Sequence, residues 1–173
     1  APLLTVQGLE NVQKLVLEPI LEALKNRGIN YRGVIYAGLM LTEKGPQVIE
    51  FNCRFGDPEC QALMPLMGQE LAEILLACAQ GQLVKAPKLS LLQGCSACVV
   101  AAAAGYPEST RLNDKIKITI EKDSSMQLFH AGTKCNSKGE LVTSGGRVLA
   151  VTAQAKSFDE AFEKAYKGLN QIH

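Results

Sequence analysis

Tryptophan is absent from this 173-residue chain, and aromatic residues make up only 5% of it. Proteins that bind nucleic acids commonly stack bases on aromatic side chains and present a basic surface. Neither feature is favoured here, because the net charge is only +1 at pH 7 and the pI is near 7.8. We therefore expect no nucleic-acid partner.

Long apolar runs are also lacking. The longest lies around residues 98–104, whereas a transmembrane helix needs about 20 apolar residues. The chain begins Ala-Pro-Leu-Leu, without a Met or a basic signal-peptide start. From these features we expect no membrane partner, a cytoplasmic location and a chain that is cut from a longer protein.

The six cysteines lie mostly in apolar segments, which is typical of free thiols in a reducing cytosol. Cys95 and Cys98 form a C-x-x-C pair. A zinc site would need a second pair of ligands, and only Cys135, His130 and His173 remain, scattered along the chain. A redox pair would need a helix after the first cysteine, but this segment has a strand pattern. We therefore favour simple packing of both thiols.

The first half of the chain alternates helical and extended patterns. Apolar residues recur at helical spacing over residues 9–27, where Pro19 should kink or divide the helix and Gly28 should end it. Residues 31–41 are nearly all apolar, which predicts a strand covered on both faces. The hairpin loop at residues 42–46 predicts antiparallel pairing with the strand that follows.

A change of character along the chain predicts two domains. Helical patterns after Glu59 are interrupted by Pro65 and Gly68 and resume over residues 69–80. Residues 82–91 have the composition of a connector, so we predict one domain over residues 1–86 and a second over residues 91–173.

The second domain is predicted to be a small α+β unit, with strands followed by one covering helix. The predicted strands are 94–104, 115–120, 126–133, 141–143 and 147–152. Ser157 and Glu160 have the spacing of a capping box that opens the last helix. Its predicted buried face holds Phe158, Ala161, Phe162, Ala165 and Leu169.

One stretch of polar residues, 47–59, stands out as a candidate site. Side chains alternate along a strand, so Glu50, Asn52 and Arg54 should share a face. Oxygen ligands suit a hard divalent cation, and a guanidinium suits carboxylate or phosphate oxygens. Asp57, which precedes Pro58, has the pattern of a helix N-cap. The alternative is an ordinary edge strand with one solvated face that ends in a capped helix.

The continuous run at residues 50–59, EFNCRFGDPE, closely resembles the phosphoribosylamine–glycine ligase family of ATP-grasp enzymes. The segments 129–133 (FHAGT) and 145–151 (GGRVLAV) resemble its C-terminal part more loosely. The resemblance implies an α/β (α+β) fold, in which the C-terminal part of an ATP-grasp fold precedes a small mixed-sheet domain with a covering helix.

The resemblance also implies an activity and its cofactors. Members join glycine to 5-phosphoribosylamine and cleave ATP to ADP and phosphate through an acyl phosphate. It implies that Glu50 and Asn52 hold Mg²⁺ or Mn²⁺, and it makes Arg54 the candidate catalytic residue. The N-terminal substrate domain and the lid of the family would lie before Ala1, so we expect the chain to need those missing regions as partners and to be inactive alone.

Several assignments stay open at this point. Asp57 and Glu59 are candidates for binding the ammonium of glycine, or they stabilise a helix start. Arg147 is a candidate for binding the ribose phosphate, or it is a surface arginine beside a turn. His130 fits a structural role better than a catalytic one. The function classes that remain are this ligase, another ATP-grasp carboxylate–amine ligase, and an inactive partner-dependent scaffold.

Overall fold

A computed structural model describes residues 4–120 and 123–173 of the chain. It divides into two compact units, one with the chain up to residue 56 and residues 71–88, the other with residues 57–70 and 89–173. The change at residues 88–89 lies inside the predicted connector, but residues 57–70 group with the second unit. The division into residues 1–86 and 91–173 stays a prediction.

The first unit opens with a helical segment that changes hydrogen-bond pattern in its middle. It consists of helix α1 (Val6–Val12), a π-helical turn (Gln13–Leu17) and helix α2 (Glu18–Asn26). The backbone N–H of Glu18 donates to the carbonyl of Gln13, five residues back, directly before Pro19. Proline cannot donate such a bond, so the ladder is rearranged where the predicted break was placed. The helix starts three residues earlier than predicted, because Thr5 caps it.

A β-hairpin follows, and its predicted antiparallel pairing is confirmed. Strand β1 (Tyr36–Thr42) pairs with strand β2 (Gly45–Asn52). A bulge lies between Gly38 and Leu39. The prediction that the first strand is covered on both faces is wrong, because β1 is half-buried to Leu39 and exposed beyond it. The sheet has only these two strands in the part of the chain that the structure describes.

Helix α4 (Leu71–Gln80) and a 3₁₀ turn (Leu83–Lys85) complete the first unit. Gly81, with a positive φ of 72°, follows the last residue of α4 and ends the helix. The loop before β1 contacts this helix, since Arg32 donates from Nη1 to the carbonyl of Ala79 at 3.4 Å. Within residues 4–120 and 123–173, no helix has the length and apolar character needed to span a membrane.

The second unit is built on a three-stranded antiparallel sheet of order β3-β7-β4 and a two-stranded sheet of β5 and β6. Its elements are α3 (Glu59–Leu63), a 3₁₀ turn (Met64–Leu66), β3 (Cys95–Ala102), β4 (Met126–His130), β5 (Thr133–Cys135), β6 (Leu141–Thr143), β7 (Arg147–Ala155) and α5 (Phe158–Leu169). The strand predicted over residues 126–133 is divided between β4 and β5. The mixed helix-and-sheet class is confirmed.

The core lies between β7 and α5. Val151 and Ala153 of β7 and Ala165 of α5 are all 0% exposed. Ser157 caps α5 as predicted, since its Oγ accepts from the N–H of Glu160 at 3.3 Å. The predicted buried face of this helix is partly wrong.

Small residues, not aromatic ones, bring α5 close to the sheet. Ala161, Ala165 and Gly168 are its buried positions, whereas Phe158 and Phe162 are exposed. A Cβ at Gly168 would lie 2.9 Å from Val151 Cγ1, which shows how closely helix and strand approach. The rings of Phe158 and Phe162 are therefore exposed to solvent and do not lie between the helix and the sheet.

Residues 115–120 form an extended segment but no strand. Ile116 and Ile118 are half-buried and Lys117 is exposed, as period-two alternation predicts. The segment changes partners along its length, because the N–H of Ile116 donates to the carbonyl of Leu141 and Lys117 exchanges backbone bonds with His173. The predicted strand is therefore replaced by isolated bridges to two partners.

The tight packing of α5 yields a stability prediction. Ala165→Leu adds a larger side chain at a position with no exposed surface, and overpacking of this kind costs about 1–3 kcal/mol. Glu163→Leu is the matched control, since it places the same residue on the exposed face of the same helix. We expect thermal unfolding to show a lower Tm for Ala165→Leu alone. Equal Tm values would contradict the packing.

Candidate functional site

Glu50 and Asn52 lie on one face of strand β2. The Nδ2 of Asn52 donates to Oε1 of Glu50 at 2.9 Å, which agrees with alternation along the strand. The hairpin register places Gly38 opposite Glu50. A Cβ at Gly38 would come within 3.2 Å of Glu50 Cγ, so the glycine gives this side chain its room. The bulge between Gly38 and Leu39 lies directly beside this position.

The chemistry of this pair fits a hard cation. The hydrogen bond leaves Oδ1 of Asn52 and Oε2 of Glu50 for a ligand, and Mg²⁺ prefers such oxygens, often with one or two protein ligands beside phosphates and water. No group of three or more His, Cys, Asp or Glu side chains suited to a metal occurs among residues 4–120 and 123–173. Any ion here would therefore depend on phosphate or water for most of its coordination.

Arg54 does not continue the strand face as predicted. Strand β2 ends at Asn52, and Arg54 lies in the bend that follows. The alternation rule therefore does not extend to it. The exposed guanidinium donates from Nη1 to the carbonyl of Phe55 at 2.9 Å, so the side chain is turned along its own bend. Its other N–H groups can take an anion.

Asp57 does not cap helix α3, so the capping prediction is wrong. The N-cap position is Pro58, without a side-chain cap. The Asp57 carboxylate is engaged elsewhere: Oδ1 accepts from Gln61 Nε2 at 3.2 Å, and Oδ2 accepts from Arg147 Nη2 at 3.2 Å. Glu59 is the first residue of α3, as its predicted place near the positive helix end requires.

Arg147 donates two hydrogen bonds to Asp57. Besides the ion pair, its Nη1 donates to the Asp57 carbonyl at 2.9 Å. Arg147 starts strand β7, next to Gly146, where a Cβ would overlap the ring of Tyr106. The pair links positions 90 residues apart, and no local sequence pattern points to it. Sequence reasoning also missed Gln61.

His130 ends strand β4, where it pairs with Leu149 of β7, and its side chain contacts the first residue of β5. Its Nδ1 lies 3.0 Å from Thr133 Oγ1, and the residue is exposed. This hydrogen bond joins the ends of β4 and β5. The geometry fits the structural role that the sequence favours.

Cys95 and Cys98 lie on strand β3, as the pattern predicts, and both thiols are free. Burial raises the pKa of the Cys98 thiol above its ordinary value, and the carboxylates of Asp57 and Glu59 add to the increase. A raised pKa leaves less thiolate, which is the form that binds metals and reacts. The strand and this pKa favour packing over redox chemistry.

Comparison with protein families gives two matches. Residues 1–60 match the ATP-grasp (A) domain of phosphoribosylglycinamide synthetase, and residues 96–173 match the C domain of the same enzyme. The two matches come from one family and together cover most of the chain. The resemblance found in the sequence is therefore confirmed.

Individual proteins agree with the family matches. The chain is 45% identical to the phosphoribosylamine–glycine ligase of Synechocystis sp. over 99% of its length, and 46% identical to a trifunctional purine biosynthetic protein of Drosophila melanogaster over 96%. It spans 41% of the first relative and 12% of the second.

Solved structures give the same result for the fold. The phosphoribosylamine–glycine ligase of Thermotoga maritima matches with a TM-score of 0.85 and 29% identity, over 100% of this chain and 42% of that one. The biotin carboxylase domain of a Hydrogenobacter thermophilus carboxylase matches at 0.67 and 18% identity, over 98% and 36%. The predicted ATP-grasp architecture is confirmed.

The thiols of the second unit provide a prediction about reactivity. Because burial raises the pKa of Cys98, iodoacetamide at about pH 8 should alkylate it more slowly than the exposed Cys135. Mass spectrometry of timed samples measures both rates, and the unfolded chain is the control in which they should converge. Equal rates in the folded protein would show that Cys98 is an accessible, reactive thiol.

Proposed function

Because the chain belongs to the phosphoribosylglycinamide synthetase family, we propose that it is the C-terminal part of a ligase that joins glycine to 5-phosphoribosylamine at the expense of ATP. The observation that carries this proposal is the match of both family domains, in order, along one chain. The chain spans about two fifths of the bacterial relatives, so turnover belongs to the complete protein. We expect the chain alone to be inactive.

The proposed reaction has two steps. The carboxylate of glycine attacks the γ-phosphorus of ATP, which forms an acyl phosphate and releases ADP. The amine of 5-phosphoribosylamine then attacks the acyl carbon and releases phosphate. Such chemistry depends mainly on positioning the reactants and on neutralising the transferring phosphoryl group.

Glu50 and Asn52 are the residues that we assign to a divalent cation, Mg²⁺ or Mn²⁺. Their two oxygens beside each other on β2 and the room left by Gly38 support this assignment. Such an ion supplies charge neutralisation at phosphate oxygens. The protein's own contribution is to hold the two oxygens on a paired strand, where the backbone fixes their spacing.

We assign Arg54 to the transferring phosphoryl group. Its guanidinium is exposed and is tied by one hydrogen bond to a backbone carbonyl, which leaves donors for a phosphate. Asp57 and Glu59 are assigned to the ammonium of glycine. Asp57 is half-exposed and keeps acceptor sites beyond those that Arg147 and Gln61 use. For Arg147 two roles are proposed, direct contact with the ribose phosphate or action through Asp57.

The activity itself is tested with the complete protein that contains this chain. We expect ADP release that requires glycine and 5-phosphoribosylamine together, and a cytoplasmic location of the protein. ADP release with another acid or amine, and none with this pair, would favour a different ATP-grasp carboxylate–amine ligase. No release with any acid and amine would favour an inactive scaffold.

Asn52→Leu tests the proposed metal pair. The substitution removes one oxygen ligand from β2, and we expect turnover to fall by about 10²-fold or more, since removing one electrostatic group from such a site costs that much. Gln47→Leu is the control, because it makes a similar polar-to-apolar change at an exposed position of the same strand. Activity unchanged across a magnesium titration would remove Asn52 from the site.

Arg54→Lys tests the proposed phosphoryl contact. Lysine keeps the charge but loses the planar fork, so kcat should fall far more than the KM for ATP or glycine rises. Arg32→Lys is the matched control, since Arg32 also donates to a backbone carbonyl in the same unit. A small shift of Tm with unchanged kcat would mean that Arg54 only stabilises its own bend.

A further inference from the structure

The carboxylate of Asp57 is held from both sides by two residues of the second unit. Arg147 approaches from the start of β7 and bonds Oδ2 and the backbone carbonyl, at 3.2 and 2.9 Å. Gln61 approaches from α3 and bonds Oδ1 at 3.2 Å. Three hydrogen bonds from two separate elements therefore fix both the main chain and the side chain of one residue.

These bonds orient Asp57 without saturating it. A carboxylate offers about four acceptor sites, and Arg147 and Gln61 take one on each oxygen. The side chain of Asp57 is 50% exposed, so its remaining sites open toward solvent. An ammonium group, with three donors and one positive charge, suits those sites. Both Nη atoms of Arg147 donate to Asp57, and each uses one of its N–H groups for that bond.

Stability alone does not explain this arrangement. The Asp57–Arg147 pair is half-exposed, and exposed ion pairs contribute little to folding. Gln61 even carries a cost, because its Oε1 is buried without a hydrogen-bond partner in the described part of the chain. A buried amide oxygen of this kind opposes folding. The Gln61 side chain has this position because its Nε2 donates to the Asp57 carboxylate.

The backbone around Arg147 is also fixed. A Cβ at Gly146 would overlap the ring of Tyr106, and one at Gly132 would meet the carbonyl of Arg147 at 2.7 Å. The strand start is thus packed on glycines that admit no side chain. This packing restricts the backbone at the start of β7, from which the Arg147 side chain reaches Asp57.

We propose that Arg147 and Gln61 are positioning residues, which act on the ammonium group of glycine only through Asp57. The inference rests on the proposed function, because it takes Asp57 to bind the ammonium of glycine. It favours the second of the two roles given for Arg147, since both Nη atoms are directed at Asp57, and the kinetics described below decide between the two roles. Gln61 becomes part of the machinery through its contact with Asp57 alone.

A double-mutant cycle in the complete protein tests this. Arg147→Met and Gln61→Met should each lower kcat/KM for glycine, Arg147→Met by about 10²-fold, because a misplaced binding group has such an effect. In the Asp57→Ala background, each should change kcat/KM by no more than about twofold, since residues that act as a unit are not additive. Losses that multiply, or a raised KM for 5-phosphoribosylamine, would overturn the proposal.

Controls separate this outcome from a folding defect. Arg111→Met removes a comparable exposed ion pair with Asp114 in the same unit and should leave the kinetics unchanged. Arg147→Lys keeps the charge and one donor, so it should restore part of the lost kcat/KM for glycine, and it replaces Arg147→Met in the cycle if that variant does not fold. No recovery with lysine in a protein of native Tm would contradict positioning through Asp57.

A measurement without turnover separates this inference from the proposed function. The side-chain amide resonances of Gln61 should shift on Arg147→Met, because both residues hold the same carboxylate, and should stay in place on Arg111→Met. Unmoved resonances would overturn the inference even in an active ligase. An inactive wild-type protein whose Gln61 resonances do shift would overturn the proposed function and leave the positioning of Asp57 established.

Discussion

Burial of strand β7 on both faces is the constraint on which the second unit depends. Val151 and Ala153 contact α5, and Thr152, which points the other way, is only 1% exposed. A shift of one residue would exchange the two faces, and pairing with β3 and β4 fixes the register further. That register sets where β7 begins, and therefore places Arg147 where its guanidinium reaches Asp57.

Local patterns were sufficient for most of the elements. The loop at residues 42–46 predicted the hairpin, Ser157 predicted the start of α5, and Pro19 marked the place where the helical ladder changes. Each of these depends on residues within a few positions, where backbone preference decides the outcome. The pairing of Glu50 with Asn52 on β2 follows from the same local rule of alternation.

Features that depend on distant partners could not be derived in this way. The Asp57 side chain has the spacing of a cap, but Oδ2 accepts from an arginine 90 residues away, and Oδ1 accepts from Gln61 in the next helix. Phe162 has helical spacing for burial, yet the close approach of α5 to β7 selects small residues at the contact. In both cases tertiary contacts override a valid local preference.

The assignment of Glu50 and Asn52 to a cation is the central claim about the function of the first unit. Anomalous X-ray diffraction from crystals of the complete protein with Mn²⁺ and ATP tests it directly. We predict a manganese peak within about 2.5 Å of one oxygen of each side chain. For Asn52 this oxygen is Oδ1, because Nδ2 is a donor and cannot bind a cation. A peak that contacts neither residue, with the Asn52–Glu50 hydrogen bond of 2.9 Å unchanged, would contradict the assignment.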